Sequence, residues 1–329
     1  MSGLTELSNA RLSGEDRSAC RRPWSPRSAA LLLGAVCSLV PSFARAARSF
    51  NLYEWAAVAP VVAVATSLGD NGRYHELSIE EVLRGDGELL GRRVRMDLRD
   101  ANRDRNREIH RFSLKLTQGE SYLFLLEPRA VKKTATLPTF DLVRGVEGVR
   151  ELPPEGREAV LGAVRRFVAV QDLDDDRLVW HELGGMLEET HPILVQTALD
   201  QFLKFRRGEV EHVESLRPLL DHPSHQLRER TARLIGQIVV QRRGEEIPDA
   251  QLLRNELVAR ARRDGNVRVR LAATEALGGF DDEVVVEILG EIAERDPDQN
   301  VRYTAEKIVY ERMQARRRTG VSVSKEGAN

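Results

Sequence analysis

The sequence predicts a two-part fold, a small closed β-barrel followed by an α-solenoid of helical repeats. Between residues 58 and 143, apolar residues either alternate with polar ones or form short runs, as they do in strands. Pro153 and Pro154 break this pattern, and beyond them apolar residues recur with the period of an amphipathic helix. Similar segments then recur along the helical part at spacings of 32 to 42 residues, as expected of stacked helical hairpins.

Short strands and strong turns alternate through the first part. An apolar run at 61–66 is ended by a Gly-Asp-Asn-Gly turn, and alternating segments follow at 77–82 and 94–98. A buried strand at 121–126 and a short last strand at 140–143 complete the set. Five or six short strands in so few residues indicate a closed barrel, because closure leaves no exposed strand edge.

Two segments of the first part carry a family resemblance. They are Ile-Glu-Glu-Val-Leu-Arg-Gly-Asp at 79–86 and Leu-Thr-Gln-Gly-Glu-Ser-Tyr-Leu-Phe-Leu at 116–125. With them this part resembles a family of bacterial exported domains that are similar to the OB-like, netrin-type barrel of tissue metalloproteinase inhibitors. The resemblance covers about a quarter of the chain and implies an OB-like fold. Those inhibitors rely on an N-terminal cysteine wedge, which a chain processed after Ala46 would lack, so inhibition by that mechanism is not implied.

The repeats of the second part align from starts at Leu194, Leu227, Val269 and Val301. A small residue lies about four positions after each start, where it would let two helices approach closely. Turns rich in aspartate, proline and asparagine precede the last three starts, and such residues end one helix and cap the next. The arginine after each of these three starts is predicted to reach the aspartate of the preceding turn, whereas Val195 takes its place in the first repeat. The residues predicted to have these structural roles are Asp221, Arg228, Asp264, Arg270, Ala273, Asp296, Arg302 and Ala305.

This register resembles the HEAT repeat. The pattern Asp-x-x-x-x-Val-Arg-x-x-Ala-Ala-x-Ala-Leu-Gly is followed most closely at 264–278. The resemblance covers roughly residues 178–318, with three well-formed units and one degenerate unit, and it implies a HEAT-type α-solenoid. An ordinary helical bundle would not need this register to recur. The predicted domains are a leader at 1–46, an OB-like β-barrel at 50–148, a HEAT-like α-solenoid at 155–318 and a disordered tail at 319–329.

The predicted leader has the pattern of a secretory signal. Three arginines precede an apolar run at 29–40, and Ala44-Arg45-Ala46 follows with small residues at the two positions that signal peptidase reads. The apolar run is shorter than the roughly 20 residues that a membrane-spanning helix needs. Because the basic segment is long, either translation starts later than the first methionine or the leader is extended. We expect a protein that is exported to the periplasm or beyond, without a membrane span.

Both cysteines, Cys20 and Cys37, fall inside this leader. Processing after Ala46 would therefore remove disulfides, thiol nucleophiles and cysteine-ligated metals from the mature chain. A lipid anchor on Cys37 is not predicted, because the residues before it lack the pattern of a lipoprotein signal.

Composition and motifs argue against nucleic-acid binding and against catalysis. Charged residues make up 31% of the chain, yet the formal net charge is -1, whereas nucleic-acid binders carry a basic excess. The nucleophile-elbow, P-loop, zinc-protease and dinucleotide glycine patterns are absent from the sequence. His222 and His225 are interpreted as turn packing, the aspartates at 174–176 as a helix N-cap, and 180–182 as a surface or interface segment. We therefore expect no catalytic residue, no metal and no cofactor.

The leading functional hypothesis is an exported, non-catalytic scaffold that holds a protein or peptide on the concave face of the solenoid. Stacked repeats expose their second helices along such a face. The predicted partner-binding residues are Arg233, Gln237, Glu275, Tyr303 and Lys307. Two alternatives stay open: a barrel-mediated inhibitor or envelope-polymer binder, and a HEAT-like enzyme resembling bilin lyases or hydroxylases. The oligomeric state is left open as well.

Overall fold

The computed structural model of the protein describes residues 51–72, 74–97, 114–130, 136–152, 154–242 and 247–323, with side chains to residue 317. The predicted leader, with both cysteines and the expected cleavage site, lies outside the described residues. Within the described ranges the chain forms a short helix, then a set of strands, and then a series of further helices.

The first part of the fold is a five-stranded barrel preceded by a short helix. Strand β1 pairs with β2, β2 with β3, β3 with β5 and β5 with β4, and pairing of β4 with β1 closes the barrel. The β3–β5 pair is parallel and the others are antiparallel. The elements are α1 Leu52–Val58, β1 Val61–Asp70, β2 Tyr74–Arg84, β3 Arg93–Asp97, β4 Ser121–Pro128, β5 Thr139–Leu142 and β6 Val149–Glu151, which pairs with the other edge of β4. The predicted OB-like barrel is confirmed.

Strand β1 is buried on both of its faces. Val61, Ala63 and Ala65 point into the barrel core, as the period of a strand requires. Val62 and Val64 belong to the opposite face, yet they too are fully buried. This explains why the sequence of β1 is a continuous apolar run instead of an alternation of apolar and polar residues.

Helices form the second part. They are α2 Arg157–Gln171, α3 Asp176–Gly185, α4 Pro192–Phe205, α5 Val213–Leu216, α6 His225–Gln241, α7 Ala250–Arg263, α8 Val267–Leu277, α9 Glu283–Arg295 and α10 Gln299–Val323. The second helices of the four repeats, α4, α6, α8 and α10, pack side by side in that order. The predicted solenoid is confirmed, and its last helix runs five residues beyond position 318.

Hydrogen bonds join the barrel to the first helix of the second part. Arg84 at the end of β2 donates from Nη2 to Gln171 Oε1 over 3.0 Å, and Gln171 Nε2 donates to the carbonyl of Tyr53 over 2.6 Å. Arg165 forms a forked ion pair with Glu81 at 2.9 and 3.0 Å. The barrel and helix α2 are therefore linked through both backbone and charged side chains.

A side chain caps the turn between the two helices in each of the last three repeats. Asp264 Oδ1 accepts from the backbone N–H of Asn266 over 2.9 Å, and Asp296 Oδ1 accepts from that of Asp298 over 2.8 Å. In the earlier repeat the corresponding acceptor is His222 Nδ1, 3.0 Å from the nitrogen of Ser224. Asp221, which the sequence pattern matches to the other two aspartates, lies one residue before this place. It is exposed and pairs with Arg260 at 2.5 Å.

The arginines of the repeat pattern bridge successive repeats. Arg228 donates from Nε and Nη2 to the carboxylate of Asp264 in the next repeat, at 2.8 and 2.9 Å. Arg270 bonds the carboxylate of Asp296 in the same way, at 2.9 and 3.2 Å. Their Nη1 groups donate instead to carbonyls of their own preceding turns, those of His222 and Asp264. The predicted contact with the preceding turn is thus made to its backbone, and the carboxylate partner belongs to the following repeat, because stacking places that turn against the outer edge of the guanidinium.

Within the described residues, the bridge is missing at the first and at the last of the four repeats. Val195 stands where the first arginine would be, and His222 stands where its aspartate would be, so both members of that pair are absent together. At the other end Arg302 Nη1 bonds the carbonyls of Asp296 and Pro297. Its Nε and Nη2 have no carboxylate partner among the described residues.

Small residues allow the second helices to approach closely. Ala273 and Ala305 are fully buried, as their predicted role requires. A Cβ placed on Gly236 of α6 would lie 2.8 Å from Ala276 Cα of α8, closer than such atoms can stand. Gly236 therefore requires glycine for steric reasons, and the fully buried Ala273 and Ala305 favour a small side chain.

We expect Ala273→Leu to lower the free energy of unfolding by about 1–3 kcal/mol, because the larger side chain must separate helices that are already in contact. Chemical denaturation would measure this. Glu275→Leu, an exposed change two residues away on the same helix, serves as the control and should stay within about 0.5 kcal/mol of the parent. Equal stability of the parent and the Ala273 variant would contradict the packing.

We expect the bridge to be sensitive to acid. Burial raises the pKa of Asp264, but the bonds from Arg228 and from the Asn266 nitrogen outweigh this, and the pKa lies below its ordinary value. A lowered carboxyl pKa contributes stability above the ordinary value near 4, and that contribution is lost as the pH falls through the folded-state pKa.

Asp264→Asn should therefore cost about 3 kcal/mol at neutral pH, and this cost should shrink below about pH 4. Denaturation curves at several pH values would test this, with the exposed Glu287→Gln as the control. A cost for Asp264→Asn that is independent of pH would count against the bridge.

Candidate partner-binding face

The second helices present a continuous face because they pack side by side. Contacts between neighbours include an ion pair from Arg230 Nε of α6 to Asp200 Oδ1 of α4, at 2.5 Å. Asp200 lies at the position of α4 that is equivalent to Arg233 of α6, but it is partly buried and engaged by this arginine. The face is therefore formed by the residues that these interhelical contacts leave exposed.

Three of the predicted residues occupy one equivalent position in successive repeats. Arg233, Glu275 and Lys307 each lie five residues after the arginine position of their helix, and all three are exposed. Arg233 pairs loosely along its own helix with Glu229 at 3.1 Å. Glu275 forms no ion pair with a described residue. The structure thus brings together a row of charges whose signs run positive, negative, positive.

The other two predicted residues, Tyr303 and Gln237, differ in how far their side chains are exposed to a partner. Tyr303 of α10 is 65% exposed, which leaves most of its ring available for contact. Gln237 of α6 is only partly exposed, and its Oε1 is enclosed without a donor among the described residues. The amide of Gln237 therefore does not present its acceptor to solvent in this conformation.

An aromatic and cationic cluster, missed by the sequence analysis, lies at the start of the solenoid. Trp180 of α3 contacts Phe205 of α4 edge to face, with ring centroids 5.8 Å apart. Arg207 stands over the Trp180 ring at 5.5 Å, and Lys204 stands over the Phe205 ring at 5.1 Å. Phe205 is nevertheless 54% exposed. Sequence alone suggested a surface or interface role for 180–182, but it did not show that rings some 25 residues apart would meet.

His212 lies behind this cluster as a neutral ring. Its Nδ1 accepts from the backbone nitrogen of Glu209 over 3.1 Å, and its ring lies 4.6 Å from that of Phe202. Burial lowers the pKa of His212, although the nearby Glu209 acts in the opposite direction. An unprotonated ring that serves as an acceptor fits a structural role.

The other residues that could suggest a metal or catalytic site have structural roles in the fold. Asp175 caps helix α3 by accepting from the nitrogen of Arg177 over 2.8 Å, which confirms the N-cap interpretation. His222 accepts from Ser224 in the turn, which confirms the turn-packing interpretation. Within the described ranges, no three histidine, cysteine or acidic side chains are grouped so that they could hold a metal ion.

An open cleft of about 550 Å³ lies beside α1, where the barrel meets α2. It is lined mainly by Tyr53, Val58, Pro60, Arg84, Asp172 and Val179. The guanidinium of Arg84 is already bonded to the Ala56 carbonyl at 2.5 Å and to Asp172 at 3.0 Å. The Arg84 guanidinium, the strongest hydrogen-bond donor in this cleft, is therefore already used in contacts within the protein.

Comparison with known proteins agrees with the repeat geometry. A family model for HEAT repeats matches residues 213–308, which extend from α5 into α10. No curated protein matches the chain. Among the helices of the described ranges, none combines the length and apolar character needed to cross a membrane.

Proposed function

We propose that the protein is an exported, non-catalytic scaffold that holds a protein or peptide partner on the exposed face of the second helices. The observation that carries this proposal is the row formed by Arg233, Glu275 and Lys307, which repeat at one position and stay exposed. HEAT repeats commonly serve as extended binding surfaces, because each unit adds one strip to the same face.

The partner is expected to carry charges of both signs. A row that alternates in sign attracts a complementary pattern, and it repels part of any uniformly charged chain. A folded protein or a peptide of mixed charge therefore fits this face better than a polyanion does. Exposed rings such as Phe205 and Tyr303 could add apolar contact at the two ends of the row.

We propose that the barrel supports the solenoid structurally and does not itself hold the partner. Its resemblance to netrin-type exported domains motivates the alternative that it is itself an inhibitor or a polymer-binding module. Arg84 and Gln171, however, link barrel and solenoid by bonds that an isolated piece would lose. Tests should therefore use the full chain with point variants.

We expect the double charge reversal Arg233→Glu with Glu275→Arg to weaken capture of the partner from a periplasmic extract by at least about tenfold, or about 1.4 kcal/mol. The matched control is Arg263→Glu with Glu287→Arg, which reverses one exposed charge of each sign on the first helices α7 and α9. Neither pair should change the free energy of unfolding by more than about 0.5 kcal/mol per site. Capture that survives the first double reversal at the same salt concentration would direct attention to the barrel.

Export is proposed from the leader pattern. Mass spectrometry of protein recovered from the periplasm or the medium should find a new N-terminus at Ala47 or within a few residues of it. The small residues Ala44 and Ala46 motivate this cleavage site. Protein that stays in the cytosol with its leader intact would contradict export.

A further inference from the structure

Strand β6 places an arginine on a covered face of the barrel wall. Val149 of β6 packs against the barrel core, so the alternation of side chains along a strand turns Arg150 to the opposite face. Its cross-strand neighbour there is Leu123 of β4, which is only 1% exposed. Arg150 is itself half-buried. Its side chain therefore lies beside an apolar surface and keeps only part of its own surface in contact with solvent.

The guanidinium of Arg150 has no partner. It forms no hydrogen bond and no ion pair with a residue that the structure describes. Burial lowers the pKa of Arg150, and no carboxylate acts in the opposite direction, whereas carboxylates raise the pKa of Arg165 and Arg217. An arginine in a protein stays protonated, so the charge remains. A cation that is partly removed from water without an anion beside it costs free energy.

His191, the residue before helix α4, lies near this guanidinium. Burial lowers the pKa of His191, the charge of Arg150 lowers it further, and Glu189 acts in the opposite direction. Its Nδ1 is enclosed and has no hydrogen-bond partner among the described residues. Its side chain does not cap α4 either. Two groups with unused hydrogen-bonding capacity, one from the barrel and one from the solenoid, therefore lie close together.

The acidic side chains of this region are engaged elsewhere. Glu189 forms an ion pair with Arg166 of α2, and Arg166 also lies 3.6 Å from Glu182 of α3. Glu189 is therefore held by a different arginine and does not neutralise Arg150. The positive end of the α4 dipole adds to the potential beside His191. The surroundings of Arg150 and His191 thus favour a negative charge that the described residues do not supply.

We propose that Arg150 and His191 form a binding site for a small oxyanion, that is, a phosphate, sulfate or carboxylate group. The planar guanidinium would donate to two oxygens of the anion, and His191 would add a donor when it is protonated. Because both side chains are only half-buried, a free ion or the charged end of a larger ligand can reach them. The site lies on β6 and at the start of α4, whereas Arg233 and Glu275 lie on α6 and α8, so anion binding is independent of partner capture.

Anion binding should be linked to proton uptake by His191. Burial and the charge of Arg150 keep the pKa of the free imidazole low, so the ring is neutral at pH 7 and above. A bound anion stabilises the imidazolium and raises this pKa. Affinity should therefore increase as the pH falls. Sulfate is the suitable probe, because its own charge is constant over the range in which histidines titrate, about pH 5 to 8.

Thermal unfolding of the full-length protein tests the site. Sulfate, inorganic phosphate and acetate are compared at millimolar concentration, with the ionic strength held constant by chloride to remove general salt effects. A saturating anion should raise the Tm of the parent by at least about 4 °C. Arg150→Leu should abolish this gain. Without the anion the same variant should unfold at the parent temperature or above it, because leucine suits a place beside Leu123 and an unpaired charge is removed.

Arg93→Leu is the matched control, because it removes an exposed arginine from β3 of the same barrel. It should keep the full gain. Sulfate should bind the parent at least about threefold more tightly at pH 6 than at pH 8, and His191→Gln should remove this pH dependence. NMR titration of the His191 ring should show that sulfate raises its pKa in the parent and leaves it unchanged in Arg150→Leu.

A gain with sulfate and phosphate but not with acetate would support the site and restrict it to tetrahedral anions. A parent that gains no stability from any of the three anions would overturn the site. An equal loss of the gain in Arg93→Leu would overturn it too, since the effect would then come from general charge. A lower Tm for Arg150→Leu without anion, combined with an unchanged sulfate gain, would assign Arg150 to packing and would also overturn the site.

Discussion

The solenoid depends on one repeated contact, the forked bond from an arginine at the start of a second helix to the turn aspartate of the next repeat. The side chain of Asp264 is 2% exposed and that of Arg228 is 16% exposed. A carboxylate so far from water is tolerated only when its oxygens are satisfied, and here the guanidinium and the Asn266 nitrogen satisfy them together. The same pair therefore fixes the turn, the start of the next second helix and the distance between the repeats.

The stack begins without this contact and is held there by other means. Val195 and His222 replace the pair, and the ion pair between Arg230 and Asp200 joins the first two second helices instead. Lys204 of α4 also forms an ion pair at 2.5 Å with Glu54 of α1, the helix that precedes the barrel. The degenerate first repeat therefore contacts α1, beside the barrel, on one side and the second repeat on the other. Its lack of the arginine–aspartate pair follows from that position.

Local periodicity was enough to predict both parts of the fold. The continuous apolar run in β1 and the spacing of Asp264, Arg270 and Ala273 are local signals, and they correctly indicated a barrel and repeated hairpins. The carboxylate partner of each arginine was missed, because it lies in the next repeat, and local spacing does not show which turn the outer edge of a guanidinium faces. His222 was missed as the capping group for a related reason, since Asp221 beside it matched the expected residue type.

The structure also shows how the end of such a stack can be recognised from its residues. Interior second helices must offer a small residue where the next helix crosses, as Gly236 and Gly278 do, because a larger one would separate the helices. Tyr310 occupies the same place on the last helix and is mostly exposed. A change from glycine to tyrosine at a fixed register position therefore separates a helix that receives another repeat from one that cannot. Arg233 and Glu275 lie on α6 and α8, between the first and the last of the described second helices, and they are therefore the most informative charges for testing the proposed partner face.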